Sequence, residues 1–219
     1  LKNLSFIPRQ FIIFIALLLM MSIAAHAGDT TVDVGNTELQ NNNEIFLNLK
    51  TLVPLINRGI AIHGVDINEE IIKDARDLLG IKAKIQLADA NDLPYKYNSF
   101  EYVTCMGATF GNFEDPDKCL SEMLRVAKPK GRVVLGVYTK NALDFQLQLY
   151  REIGLHITGH DDQAVYSEAI SQEDGESGPI CIHRRFTKER LEEIAKNSNA
   201  KIEIIKLTPV SYVAVLQKV

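Results

Sequence analysis

Ile60-Ala-Ile-His-Gly-Val-Asp66-Ile-Asn68 and Lys84-Ile-Gln-Leu-Ala-Asp89-Ala90-Asn91-Asp92-Leu93-Pro94 share one design. Each is an apolar run that stops on an acid and gives way to a turn or a helix start. Asn68 suits a helix N-cap, and Ile71, Ile72, Ala75, Leu78 and Leu79 then recur at helical spacing. Gly80 follows where a C-terminal glycine belongs. Phe100-Glu-Tyr-Val-Thr-Cys-Met106 reads as the next strand. Asp115-Pro116 caps and opens a helix carrying Leu120, Met123, Leu124 and Ala127, which Lys128-Pro-Lys-Gly131 stops. Arg132-Val-Val-Leu-Gly-Val-Tyr138 is a further strand. Strands that alternate with helices predict a parallel α/β sheet, because parallel strands need crossovers. Ligands of such sheets bind outside the carboxyl ends of the strands, where Asp66 and Asp89 stand.

Outward from this centre the pattern is less regular. Thr31-Val-Asp-Val-Gly35 is the expected first strand, and a helix through Ile45, Leu49, Leu52, Val53 and Ile56 follows, kinked or ended at Pro54. Asn141 to Leu155 reads as helical. Ile157 to Arg185 lacks a clear period, and Ser171 to Gly178 reads as a mobile loop. Thr187 caps a last helix, with Phe186 stapled on Leu191. Lys201 to Leu207 and Tyr212 to Gln217 are two strands with too little chain between them for a crossover. They form a hairpin, so one terminal strand runs antiparallel to the rest.

The first 27 residues differ in kind from the others. Lys2 and Arg9 precede an uncharged run from Phe11 to Ala25, and Ala25-His26-Ala27 offers small residues to a signal peptidase. The segment reads as a secretory signal, with a membrane anchor and an apolar helix of the domain as the alternatives. Residues 28–219 are then one domain, and contact with a membrane is expected through residues 1–27 alone. The 219 residues are 46% hydrophobic and 24% charged, as in an ordinary globular protein. A net charge of −4 argues against a nucleic-acid partner. Cys105, Cys119 and Cys181 have neither metal-ligand spacing nor the even count of a disulfide framework.

The stretches His63-Gly64-Val65-Asp66-Ile67-Asn68, Asp89-Ala90-Asn91-Asp92-Leu93-Pro94, Asn98-Ser99-Phe100 and Ala127-Lys128-Pro129-Lys130-Gly131-Arg132 occur in an order that resembles the class I S-adenosylmethionine-dependent methyltransferases. The resemblance covers roughly residues 60–219. It implies a Rossmann-like, doubly wound, mostly parallel sheet with a C-terminal antiparallel hairpin strand, and S-adenosyl-L-methionine as the cofactor. It implies that Asp66, with Ile67 beside it, holds the ribose hydroxyls. Asp89 would accept from the adenine amino group, and the Ala90 N–H would meet a ring nitrogen. Cys105 and Met106 would lie beside the methionine part of the cofactor. The other reading makes Asp66 a carboxylate facing a helix dipole and Asp89 a turn residue.

The chain departs from that family in its glycine-rich turn. In the candidate, Asp33-Val34-Gly35-Asn36-Thr37-Glu38-Leu39, only Gly35 matches, and Thr37 and Leu39 stand where glycines are expected; Asp33 and Gly35 are its candidate cofactor-binding residues. Three functions therefore compete. They are methyl transfer to a small-molecule acceptor, a degenerate domain that has lost its cofactor loop, and a nicotinamide-dependent oxidoreductase. No metal site is expected: Thr158 and Gly159 make a helix between His156 and His160 unfavourable, so these read as solvated loop histidines. His183-Arg184-Arg185 reads as solvated surface, and Tyr138 as a strand end near the ligand side. No catalytic acid–base pair is visible. Residues 156–185 are the expected substrate lid. The amino terminus suggests export or anchoring, whereas use of the cofactor suggests the cytoplasm.

Overall fold

The computed structural model describes residues 10–14, 57, 59–152, 155–170 and 177–218. Among the described residues, ten strands and four α-helices follow in chain order: β1 Gln10–Phe14, β2 Ala61–Asp66, α1 Glu69–Leu79, β3 Ala83–Leu87, β4 Phe100–Cys105, α2 Pro116–Val126, β5 Ala127–Thr139, α3 Leu143–Glu152, β6 His156–His160, β7 Ala164–Ile170, β8 Ser177–Phe186, α4 Lys188–Asn197, β9 Ala200–Thr208 and β10 Ser211–Lys218. Strands β3, β2, β1, β4 and β5 lie side by side and parallel. β10 runs antiparallel along β5 and pairs with β9 as the expected hairpin. The sheet is thus the mostly parallel α/β sheet with one reversed strand that the sequence predicts.

The local signals act where they were read, except that Ala127–Gly131, read as a helix end and its stop, already belongs to β5. The Asn68 side chain accepts from the Ile71 N–H, and Gly80 takes a φ of +55° just after α1. Ile71, Ile72, Ala75 and Leu79 bury one face of α1 against Ile60, Ile62 and Ile85 of the sheet. Each buried Ile or Leu side chain among them stabilises the packing by about 1.5–3 kcal/mol. Asp115 caps α2 through the Lys118 N–H, with Pro116 in the first turn. Cys119, Leu120, Met123 and Leu124 of α2 enter the main core with Val103, Val133 and Leu135. Thr187 caps α4 through the Arg190 N–H, and Phe186 and Leu191 share that core.

Two regions differ from expectation, and a third lies outside the described residues. The central place in the sheet, between β2 and β4, is taken by Gln10–Phe14, from the apolar run read as an export or anchor signal. A strand flanked on both sides in a parallel sheet reads as a continuous apolar run, so the two readings share one composition. Thr31 to Gly35 and the helix through Ile56 lie outside the described residues. The aperiodic stretch from 157 to 185 forms, in its described part, an antiparallel meander of β6, β7 and β8. Its alternation is broken by register shifts after Ile157 and after Glu168, which hides the period of two.

This meander has a definite place. Along β5, β10 pairs on one flank from Arg132 to Tyr138, while β4 pairs on the other up to Leu135. Where β4 ends, Tyr138 and Thr139 pair with Arg185 and Phe186 of β8. The meander therefore stands over the carboxyl end of β4, on the ligand side of the sheet.

Candidate functional site

Asp66 is the last residue of β2, and Asp89 follows β3 by two residues. The strands are adjacent and in register, with Asp66 beside Leu87, so both acids come to one edge of one cavity. Each carboxylate is held by a tight turn of its own chain. Asp66 Oδ1 accepts from the Asn68 N–H at 2.9 Å, and Asp89 Oδ1 from the Asn91 N–H at 2.8 Å. These bonds satisfy the turn reading, yet a carboxylate has more acceptor positions than a turn engages, and both acids line the cavity. Burial pushes Asp66 up to about 6, against the opposing pull of the N–H groups of Asn68 and Ile67. A half-buried acid at a strand end, with no cationic partner among the described residues, suits a ligand's hydroxyl donors.

The cavity holds about 390 Å³, within the ordinary range of small-molecule sites. One wall is Val65 to Asn68 and Ala88 to Asn91, the other Thr109 and Asn112 to Glu114. Ile67 is three-quarters exposed and forms an apolar lip, whereas Ala90 is buried. Two buried oxygens on this lining, Asn91 Oδ1 and Thr109 Oγ1, have no hydrogen-bond partner among the described residues. Buried polar atoms of this kind cost about 1–3 kcal/mol each unless something binds them. An acidic edge, an apolar lip and the unpartnered Asn91 oxygen beside Asp89 fit a nucleoside. Cys105 lies wholly in the core, where burial raises its thiol well above the usual range, and Met106 is partly exposed. Neither borders the cavity, so the structure does not bring them to it. Asp33 and Gly35 lie outside the described residues.

The loop that carries Asp89 is pinned from α2. The Leu93 N–H donates to Glu122 Oε2 at 2.8 Å, while Arg125 donates to the Leu93 and Tyr95 carbonyls at 2.8 and 2.7 Å and to both oxygens of Glu122. The Arg125 guanidinium in turn holds the Glu122 carboxyl below its usual range. Arg125→Met would leave the Tyr95 carbonyl without its donor and strip the Leu93 carbonyl and the Glu122 carboxylate of their charged one, for a loss of about 1–3 kcal/mol. Urea unfolding should show that drop, and ligands of the Asp89 edge should bind more weakly.

The opposite wall was missed in the sequence. After β4 the chain turns through Gly107 and Ala108, both at positive φ, into a short 3-10 turn, Thr109–Asn112. Arg184 donates to the carbonyls of Gly111, Phe113 and Glu114, and so ties this turn to β8. The reading of His183-Arg184-Arg185 as solvated surface is therefore corrected. His183 and Arg185 are buried, with the His183 ring packed on Tyr150 at 4.6 Å. Arg185 donates to Gln146 Oε1 and to the Asp161 carbonyl. The signal was alternation about the strand, His183 and Arg185 in and Arg184 part-way out, in a segment whose period the bulges obscure. Tyr138 is fully buried and does not border the cavity.

His156 and His160, read as loop histidines, are instead exposed residues of strand β6, where His156 Nδ1 meets Glu168 Oε1 at 2.8 Å. Among the described residues no three potential ligands converge on a metal position, and no helix is long and apolar enough to cross a membrane.

Residues 48–135 match a family model described as a methyltransferase domain. Two similar curated proteins are ubiquinone/menaquinone biosynthesis C-methyltransferases. The one from Rickettsia akari is 30% identical over 162 residues, 67% of this chain and 58% of its own length. The one from Idiomarina loihiensis is 35% identical over 113 residues, 48% of this chain and 44% of its own. The chain thus spans roughly half the length of these relatives. Among solved structures, a methyltransferase dependent on S-adenosylmethionine from Methanosarcina mazei superposes with a TM-score of 0.56 at 23% identity, over 76% of this chain and 86% of its own. Another from Aquifex aeolicus gives 0.57 at 12% identity, over 96% and 82%. At these identities the superpositions speak for the fold.

Proposed function

We propose that this chain, whose fold and central domain are those of the class I S-adenosylmethionine-dependent methyltransferases, transfers a methyl group to carbon on a small hydroxylated aromatic acceptor. The observation that carries the first half is the pair Asp66 and Asp89 on one edge of a single cavity. Asp66 would hold the ribose hydroxyls, Asp89 the adenine amino group, and the Ala90 N–H a ring nitrogen. Ile67, on the exposed lip, would cover the adenine face. The acceptor class rests on the curated relatives, which are named for C-methylation in quinone biosynthesis. Both match over only part of their length, so the acceptor is a reading and not an inheritance.

When bound, the cofactor supplies a methyl group already activated by its positive sulfur. The chain's own residues then have to align the acceptor and keep water from the line of attack. A ring carbon becomes nucleophilic when an oxygen on the same ring releases electron density into it, so the protein must also manage that oxygen. The meander of β6 to β8 stands over the end of β4 and is the part we assign to acceptor selection. No observation favours a sheet that has lost its ligand.

Titration calorimetry of the full chain with S-adenosylmethionine, S-adenosylhomocysteine and NAD separates the readings. The first two should give heat and NAD none. Heat with NAD alone would make the protein an oxidoreductase, and heat with none of the three would leave a domain without a nucleoside ligand.

A further inference from the structure

The wall after β4 carries polar groups that the adenosine grip does not use. Asn112 borders the cavity, and its Oδ1 lies 3.2 Å from His183 Nδ1. An amide oxygen only accepts, so His183 Nδ1 carries the hydrogen. Burial holds the imidazole neutral, with its pKa lowered to about 4, so Nε2 is unprotonated and accepts from the buried Ser167 hydroxyl at 2.8 Å. The chain Ser167–His183–Asn112 therefore runs in one direction, from the meander to the cavity. It fixes the Asn112 amide with its oxygen turned to the protein. The Asn112 amide nitrogen takes no part in this chain of bonds. On the same wall, Thr109 is 3% exposed and its hydroxyl is unpartnered among the described residues.

We infer that Asn112 Nδ2–H and the Thr109 hydroxyl form a two-donor recognition point for a ring oxygen of the methyl acceptor, and that His183, set by Ser167, is the positioning residue for it. The assignment to the acceptor follows from placement. Adenosine is gripped at the ends of β2 and β3, whereas these donors follow β4, across β1 and beneath the meander. Two donors converging on an aromatic oxygen favour its charge-bearing form, which raises electron density at the neighbouring ring carbons. The inference rests on the acceptor class proposed above.

The test uses the full chain, S-adenosylhomocysteine, and 1,4-dihydroxynaphthalene handled anaerobically as the acceptor probe. Calorimetry should show that Asn112→Leu and Thr109→Val bind S-adenosylhomocysteine within about twofold of wild type. Each should bind the probe, offered to the S-adenosylhomocysteine complex, at least tenfold more weakly. His183→Leu should lose about as much probe affinity as Asn112→Leu and add little on top of it. His183→Asn, whose amide nitrogen can take the place of Nδ1, should recover most of the loss, which a merely structural role would not produce. Loss of S-adenosylhomocysteine affinity in step with the probe would give these donors to the cofactor and overturn the inference. So would a wild-type complex that takes up no probe, and unaltered S-adenosylhomocysteine binding there would leave the cofactor reading standing. Additive losses for His183→Leu and Asn112→Leu would remove His183 from the relay.

Discussion

Asp66→Asn should abolish nucleoside capture and at the same time make the ligand-free protein more stable. The amide keeps the shape of the carboxylate and keeps an oxygen for the Asn68 N–H, so the turn after β2 survives. What disappears is the charge. Two hydroxyl donors on an ionised carboxylate contribute about 1.5–3 kcal/mol each, so S-adenosylhomocysteine should bind at least a hundredfold more weakly. The stability effect has the opposite sign. Burial raises the Asp66 carboxyl to about 6, above its unfolded value, so the native state binds more protons than the unfolded chain between about pH 4 and 6. Stability from this group is full below that window and is lost as pH rises through it. Above pH 6 the ionised form costs the fold about 1–3 kcal/mol, after allowance for its partial exposure. Removing the charge returns that amount, a rise of roughly 2–8 °C in Tm at pH 7.5. The gain should vanish at pH 4, where wild-type Asp66 is already protonated. Wild-type affinity for S-adenosylhomocysteine should likewise fall below about pH 6. Unchanged affinity in the variant would reduce Asp66 to a turn residue, and a lowered Tm would contradict the cost of its burial.

The same residue shows what was legible in the chain and why. An apolar run that ends on an acid before a helix cap is a local pattern, and local patterns fix β2, α1, β3 and the caps of α2 and α4. Chain length between strands fixes parallel against antiparallel, which is how the β9–β10 hairpin and its reversed strand could be foreseen. The polar wall of the cavity was a different matter. Thr109 and Asn112 sit in a short 3-10 turn that shows no period, and their role depends on Ser167 and His183, far away in sequence. A buried histidine or arginine is legible only when its partners are known, and Arg185 finds its own in Gln146 and Asp161. The central strand was hidden for another reason. Apolar composition alone does not separate a strand within a parallel sheet from an export signal, and Gln10–Phe14 satisfies either demand.

Gly111 packs against the backbone of β8, and Gly111→Ala should be among the most damaging single-methyl additions at the described glycines. A Cβ there would stand 2.7 Å from the Arg184 carbonyl oxygen and 3.2 Å from its nitrogen. Both obstacles are backbone of β8, which is paired to β7 and cannot swing aside as a side-chain tip would. The turn must therefore back away from β8. In doing so it weakens the Arg184 bonds to the carbonyls of Gly111, Phe113 and Glu114 and draws Asn112 from His183. Overpacking of this kind costs about 1–3 kcal/mol, and the strained hydrogen bonds add to it, for a total of about 2–4 kcal/mol. Denaturant unfolding should report that loss, with Tm lower by roughly 5–12 °C. Gly159→Ala is the matched control: nothing lies within 4 Å of its added Cβ, and stability should stay within about 0.5 kcal/mol of wild type or rise slightly. Because the acids of β2 and β3 are not displaced, Gly111→Ala at a temperature where it is folded should keep most of its S-adenosylhomocysteine affinity while losing the acceptor probe. Equal stability of the two alanine variants would mean that β8 does not hold the turn in place, and the meander would then have no rigid purchase on the cavity.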